Sequence, residues 1–216
     1  MKVLGIDSAT PIASVAVLDN TRVLASGESD AAGHRADLLV LIDRICREAG
    51  VAPTELDAIA IGAGPGSFTG LRIGMATAKG IAFAAGKPLW AVSSLAALAH
   101  RFTQPLVIAV LDARRGELYA GAYRRTDAGI VLDGDERLIA PADLPAFARR
   151  GDEIGTTVGD YAGLDITARP TGTAVAELAL AGARVDVLSG GVPTYIRASE
   201  AEIRYPDGVP GALRKR

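Results

Sequence analysis

Three short apolar runs, Val3 to Asp7, Ala13 to Asp19 and Arg22 to Glu28, open the chain. Turn-forming residues part them at Ser8 to Pro11 and at Asn20-Thr21, which predicts an antiparallel meander of β-strands. The period then lengthens. Leu38, Leu41, Ile42, Ile45 and Ala49 recur at helical spacing, so a helix is expected from about Arg35 to Ala49, closed by Gly50. Val40 falls among Asp43, Arg44 and Arg47 on the polar side of that helix and is expected to be exposed unless a partner covers it.

A strand at Ala58 to Gly62 leads into Gly-Ala-Gly-Pro-Gly-Ser-Phe-Thr-Gly-Leu-Arg-Ile-Gly at 62–74, and a helix then runs to Ala85. Pro88 to Val92 reads as a strand and Ser93 to Arg101 as a helix, so strands and helices alternate as in a layered α/β protein. The opening pattern then returns. Leu106 to Asp112 ends in an aspartate as Val3 to Asp7 does, and β-type runs follow at Glu117 to Arg125 and Ile130 to Leu138. This order predicts a duplicated lobe, with one copy in residues 1–103 and the other in 104–216, the alternative being two unrelated α/β halves. The second copy has no second glycine-rich junction, only short helices at Ala140 to Arg150 and Thr173 to Ala183.

Within the helix after the junction, Gly70, Gly74, Ala78 and Ala82 recur every four residues and form a small-residue stripe. Glycine inside a helix costs roughly 1 kcal/mol relative to alanine, so something is expected to pack very closely there. The stripe is read as a docking surface, joined by Phe68, Leu71 and the exposed Val40.

The 216 residues are 49% hydrophobic, enough to bury a core, and the net charge of −2 disfavours direct nucleic-acid binding by the molecule as a whole. Arg204, Arg214, Lys215 and Arg216 make a local basic tail, read as a solvated terminus in preference to an RNA contact. The single cysteine, Cys46, excludes an internal disulfide and is expected to be a buried thiol in a reducing cytoplasm. No run of eighteen apolar residues occurs, and Asp7 interrupts the amino-terminal run too early for a signal peptide, so a cytoplasmic protein is expected.

Candidate chemistry is sparse. In the turn Asp7-Ser8-Ala9-Thr10, amides and hydroxyls suit a phosphate and the carboxylate suits magnesium; plain turn chemistry accounts for the same residues equally well. The glycine-rich junction lacks the Gly-Lys-Ser/Thr ending of a phosphate loop, and its Gly70 comes one position too late for a dinucleotide fingerprint. His34 and His100 have no second histidine at metal-binding spacing. Ser67 is better explained as a helix cap than as a nucleophile, and Asp112 to Glu117 as a charged hairpin turn. No cofactor is expected.

Leu4 to Thr10, Leu38 to Asp43, Gly64 to Gly74, Asp112 to Arg115 and Pro193 to Arg197, taken in order, resemble the TsaB family of bacterial tRNA threonylcarbamoyladenosine biosynthesis. The resemblance implies two ribonuclease-H-like lobes of the acetate kinase, sugar kinase, heat-shock chaperone and actin superfamily. It also implies a noncatalytic partner of the paralogue TsaD, which transfers a threonylcarbamoyl group to the anticodon-adjacent adenosine of tRNAs reading codons that begin with A. A larger assembly with the ATPase TsaE, a homodimer in isolation and only indirect contact with tRNA are implied as well. The metal-binding His-x-x-x-His of TsaD corresponds here to Ser94 and Leu98, neither of which replaces an imidazole. Val40 stands where TsaB sequences usually read proline. The competing expectation is a stand-alone ATP-dependent phosphotransferase or hydrolase of the same superfamily, with Asp7 and Thr10 near phosphate and Asp112 as base.

Overall fold

The structure, a computed structural model, describes residues 1–29, 38–161, 164 and 168–197. His34, the start of the first helix at 35–37 and the basic tail from Arg204 lie outside the described residues. Strands β1 (Lys2–Asp7), β2 (Ser14–Asp19) and β3 (Arg22–Glu28) form the expected meander, and helix α1 (Leu38–Ala49) follows. Then come β4 (Ala58–Gly62), α2 (Phe68–Ala85), β5 (Leu89–Val92) and α3 (Ser94–His100). Both β4 and β5 run parallel to β1 in one sheet, whose order is β5-β4-β1-β2-β3. This is the strand order of a ribonuclease-H-like lobe.

The second lobe repeats the first in reduced form. Strands β6 (Leu106–Asp112) and β7 (Leu118–Thr126) pair antiparallel, and β8 (Gly129–Leu132) and β9 (Arg137–Ile139) both pair with the far side of β7. The continuous strand expected from Ile130 to Leu138 is therefore broken at 133–136, where Gly134 takes a φ of 94°. Helix α4 is a single turn (Leu144–Phe147) and passes into a small ribbon of β10 (Arg149–Arg150) and β11 (Glu153–Ile154). Strand β12 (Thr156–Asp160) lies parallel to β6 as β4 does to β1.

The chain then returns to the first lobe. Helix α5 (Gly172–Leu180) packs on β1, β2 and β4, and β13 (Val185–Asp186) adds antiparallel to β5 at the edge of the first sheet. A linear division at 103/104 thus misplaces these two elements. Their placement has a physical cause. Val3, Ala16, Leu18, Ala58 and Ala60 make one face of the first sheet apolar, and Ala174, Val175, Ala176, Leu178 and Ala179 of α5 bury it. Gly5 and Gly172 meet backbone to backbone, since a Cβ on either would collide with the other's carbonyl oxygen. The opposite face, Leu4, Ile6, Val15, Val17, Ile59 and Ile61, is covered by α1 and α2. Helix α3 fills the space between the lobes, with Leu95, Leu98 and Ala99 packed on Val107, Ala109 and Leu111 of β6.

Candidate functional site

The turn after β1 is closed by its own chain. Asp7 is 1% exposed, and its Oδ1 accepts the Ala9 amide at 2.9 Å while its Oδ2 accepts the Ser94 hydroxyl at 2.8 Å. Burial raises its pKa from 3.8 to about 6, against the lowering effect of those two hydrogen bonds. The Ser8 hydroxyl donates to the Gly70 carbonyl at 2.9 Å, the Ser67 amide to the Ala9 carbonyl at 2.6 Å, and the Thr10 hydroxyl to the Ile12 carbonyl at 2.9 Å. The Asp7, Ser8 and Thr10 side chains, which the sequence offers to phosphate or magnesium, are thus all engaged within the fold. The Gly64–Pro65 peptide bond is cis.

The same contacts correct the reading of the glycine stripe. Gly70, Leu71, Gly74, Ala78 and Ala82 are buried inside the chain. A Cβ at Gly70 would collide with the Ser8 carbonyl, and one at Gly74 with the Ser8 hydroxyl. The partner that demands small residues is therefore the β1–β2 turn of the same molecule, and a sequence has no means of telling an internal neighbour from an external one. Val40 is 67% exposed, as expected. Phe68 is half-buried against Tyr195, with ring centroids 5.1 Å apart, and carries the Arg72 guanidinium 3.9 Å above its ring.

A different surface emerges on the outside. Thr69, Arg72, Ala76, Gly80 and Phe83 fall on the exposed side of α2, and Leu39 and Val40 are exposed on α1, which packs beside it. Phe83 is 83% exposed, and a Cβ at Gly80 would meet nothing within 4 Å. The exposed side of α2 thus carries two small residues at i and i+4 together with Phe83, and the neighbouring α1 exposes two more apolar side chains. The signal of this surface in the sequence is an aromatic residue one position past the last member of the stripe, at Phe83.

Ser94 and Leu98, which the resemblance sets against the histidines of TsaD, are both packed inside the fold. Ser94 is fully buried against Asp7, and Leu98 is fully buried in the interlobe apolar cluster. Among the described residues no three His, Cys, Asp or Glu side chains converge on a common point. Asp112 is occupied by Arg114, whose amide and guanidinium it accepts at 2.6 and 3.0 Å. No described helix is long and apolar enough to cross a membrane.

Residues 28–190 match the family of the tRNA N6-adenosine threonylcarbamoyltransferase, TsaD. YeaZ from Pseudomonas aeruginosa superposes with a TM-score of 0.77 at 31% identity, covering 90% of this chain and 99% of its own. The chain belongs to the TsaB family. The tRNA threonylcarbamoyladenosine biosynthesis protein TsaB of Escherichia coli K12 is 38% identical over 134 residues, 60% of this chain and 58% of that protein. The match thus spans little more than half the length of that relative. Bacillus subtilis TsaB is 29% identical over 224 residues, covering 95% of this chain and 98% of its own. Another P. aeruginosa structure, described as an uncharacterized protein with similarity to peptidase YEAZ, gives a TM-score of 0.78 at 32% identity over 91% of this chain and 99% of that one. These likenesses carry the two-lobed fold of the acetate kinase, sugar kinase, heat-shock chaperone and actin superfamily over to this TsaB-family chain.

Proposed function

We propose that this chain acts in tRNA threonylcarbamoyladenosine biosynthesis as a noncatalytic subunit that docks on TsaD. The observation that carries the reading is the state of the turn after β1, where Asp7 is buried and hydrogen-bonded to Ser94 and Ala9 and leaves no free carboxylate for chemistry. The names of the E. coli and B. subtilis relatives support the pathway.

The docking surface is the outer side of α1 and α2, built on Leu39, Val40, Ala76, Gly80 and Phe83, with Phe68 at its edge. Small residues at 76 and 80 let a partner helix approach closely, and exposed apolar side chains beside them supply area to bury. A homodimer and the TsaD complex use this one surface and exclude each other. TsaE joins the assembly elsewhere, tRNA contacts TsaD, and the protein works in the cytoplasm.

The test is incorporation of labelled threonine into unmodified tRNA by the synthase, TsaD and TsaE with ATP and bicarbonate, with and without this chain. Strict dependence is expected. Undiminished modification in its absence would overturn the proposal.

A further inference from the structure

Two short segments are each tied to both lobes. The first is Ser93-Ser94, at the start of α3. Ser94 donates to Asp7 at the end of β1, in the first lobe, at 2.8 Å. Its neighbour Ser93 donates to Glu136, in the break between β8 and β9 of the second lobe. The same Glu136 oxygen accepts the hydroxyl of Tyr123, a β7 residue only 3% exposed. Gly121 of the same strand keeps this corner open, because a Cβ there would stand 2.9 Å from the Tyr123 ring and 3.3 Å from Glu136.

The second segment is Thr194 to Arg197. The Thr194 amide donates to the Ala63 carbonyl at 2.7 Å, just past the end of β4 in the first lobe. Three residues on, the Arg197 guanidinium donates to the Ala113 carbonyl at 2.7 Å and pairs with Glu117, both in the hairpin between β6 and β7. Closure of a two-lobed protein turns one lobe against the other about a few hinge residues, and so changes the separation of groups held on opposite lobes. Here adjacent or nearly adjacent residues hold opposite lobes at two separate places.

We propose that Ser93-Ser94 and Thr194 to Arg197 are paired interlobe pins that hold the lobes at one fixed angle. The two lobes then move as one rigid body, and the protein does not open and close. Glu136 is the acceptor on which the first pin depends, because it takes both the Ser93 and the Tyr123 hydroxyl protons. Arg197 is the corresponding residue of the second pin. This inference concerns the isolated chain and stands independently of the docking partner.

Spin labels at Arg22→Cys in the first lobe and Asp152→Cys in the second, in a Cys46→Ala background, report the interlobe distance; both labelled positions are exposed. The parent is expected to give one narrow distance distribution. Glu136→Ala and Arg197→Ala should each broaden it, and the double variant should at least double its width. Ser93→Asp retains the helix cap yet sets a carboxylate against Glu136, so it should broaden the distribution, and adding Glu136→Gln should restore it. That reversal separates a pin from a general loss of stability. Equal widths for the parent and the folded double variant, or for Ser93→Asp with and without Glu136→Gln, would overturn the proposal. The measurement involves no TsaD, so its failure leaves the docking assay unaffected.

Discussion

Ser94 and Asp7 lie 87 positions apart in sequence, and the Ser94 hydroxyl donates to Asp7 Oδ2 at 2.8 Å. The same hydroxyl oxygen accepts the Gly64 amide at 3.3 Å, so one buried serine joins the end of β1, the glycine-rich junction and the start of α3. This explains why Gly62 carries no side chain, since its Cβ would coincide with Asp7 Oδ2.

Burial of Asp7 has a consequence for stability. Its folded pKa is raised from 3.8 to about 6, so the folded state holds this proton at pH values where the unfolded chain has released it. Below pH 4 both states are protonated and Asp7 adds no pH-dependent term. As the pH rises from about 4 to about 6 the folded state loses stability relative to the unfolded state, by roughly 3 kcal/mol at 1.36 kcal/mol per pKa unit. Asp7→Asn removes that dependence while keeping an acceptor for the Ala9 amide. Urea unfolding of both proteins from pH 4 to 7 should show the variant gaining on the parent as the pH rises. Parallel curves would refute a raised Asp7 pKa.

The two kinds of helical glycine in α2 predict opposite mutational effects. Gly74 lies against the Ser8 hydroxyl with no room for a methyl group, so Gly74→Ala should destabilise the fold by about 1–3 kcal/mol. Gly80 faces open space in the single chain, so at concentrations where the protein is monomeric Gly80→Ala should stabilise it by up to about 1 kcal/mol through helix propensity alone. Thermal unfolding of the pair decides the matter. Two destabilised variants would mean that Gly80 is covered in the free protein.

Much of the fold was legible because alternation and helical spacing reflect burial directly. The meander, α1 and α2, and the return of the pattern at β6 all follow from periodicity. Helix α5 was legible as an element but not in its location, because its alanines fit any apolar sheet face and only the Gly5–Gly172 contact fixes which one. Asp7 was found as a turn residue. Its partner Ser94 is not legible from local sequence, since a serine carries no local sign of a contact 87 residues away. The small-residue stripe marks a close approach, but the neighbour is the β1–β2 turn of the same chain, and spacing alone does not distinguish that from an external partner.

The outer surface of α2 gives a direct test of docking. Ala76→Arg and Phe83→Asp alter exposed side chains and should leave the circular dichroism spectrum of the folded protein almost unchanged. Both should abolish co-elution with TsaD and shift any homodimer to monomer in light scattering. Loss of one association with retention of the other would refute a shared surface.

Arg72 holds the carboxy-terminal crossing segment in place. Its guanidinium lies 3.9 Å over the Phe68 ring, and its Nε donates to the Tyr195 hydroxyl at 3.2 Å. Since Tyr195 follows Thr194, whose amide bonds Ala63, loss of Arg72 should loosen that amide as well. Arg72→Ala removes both the cation–π contact and the hydrogen bond, and should cost about 1 kcal/mol at this exposed site. Tyr195→Phe removes only the hydroxyl and should cost less. Hydrogen exchange at Thr194 should accelerate in the order parent, Tyr195→Phe, Arg72→Ala. Equal exchange in all three would mean that the Thr194–Ala63 bond is held without help from the arginine.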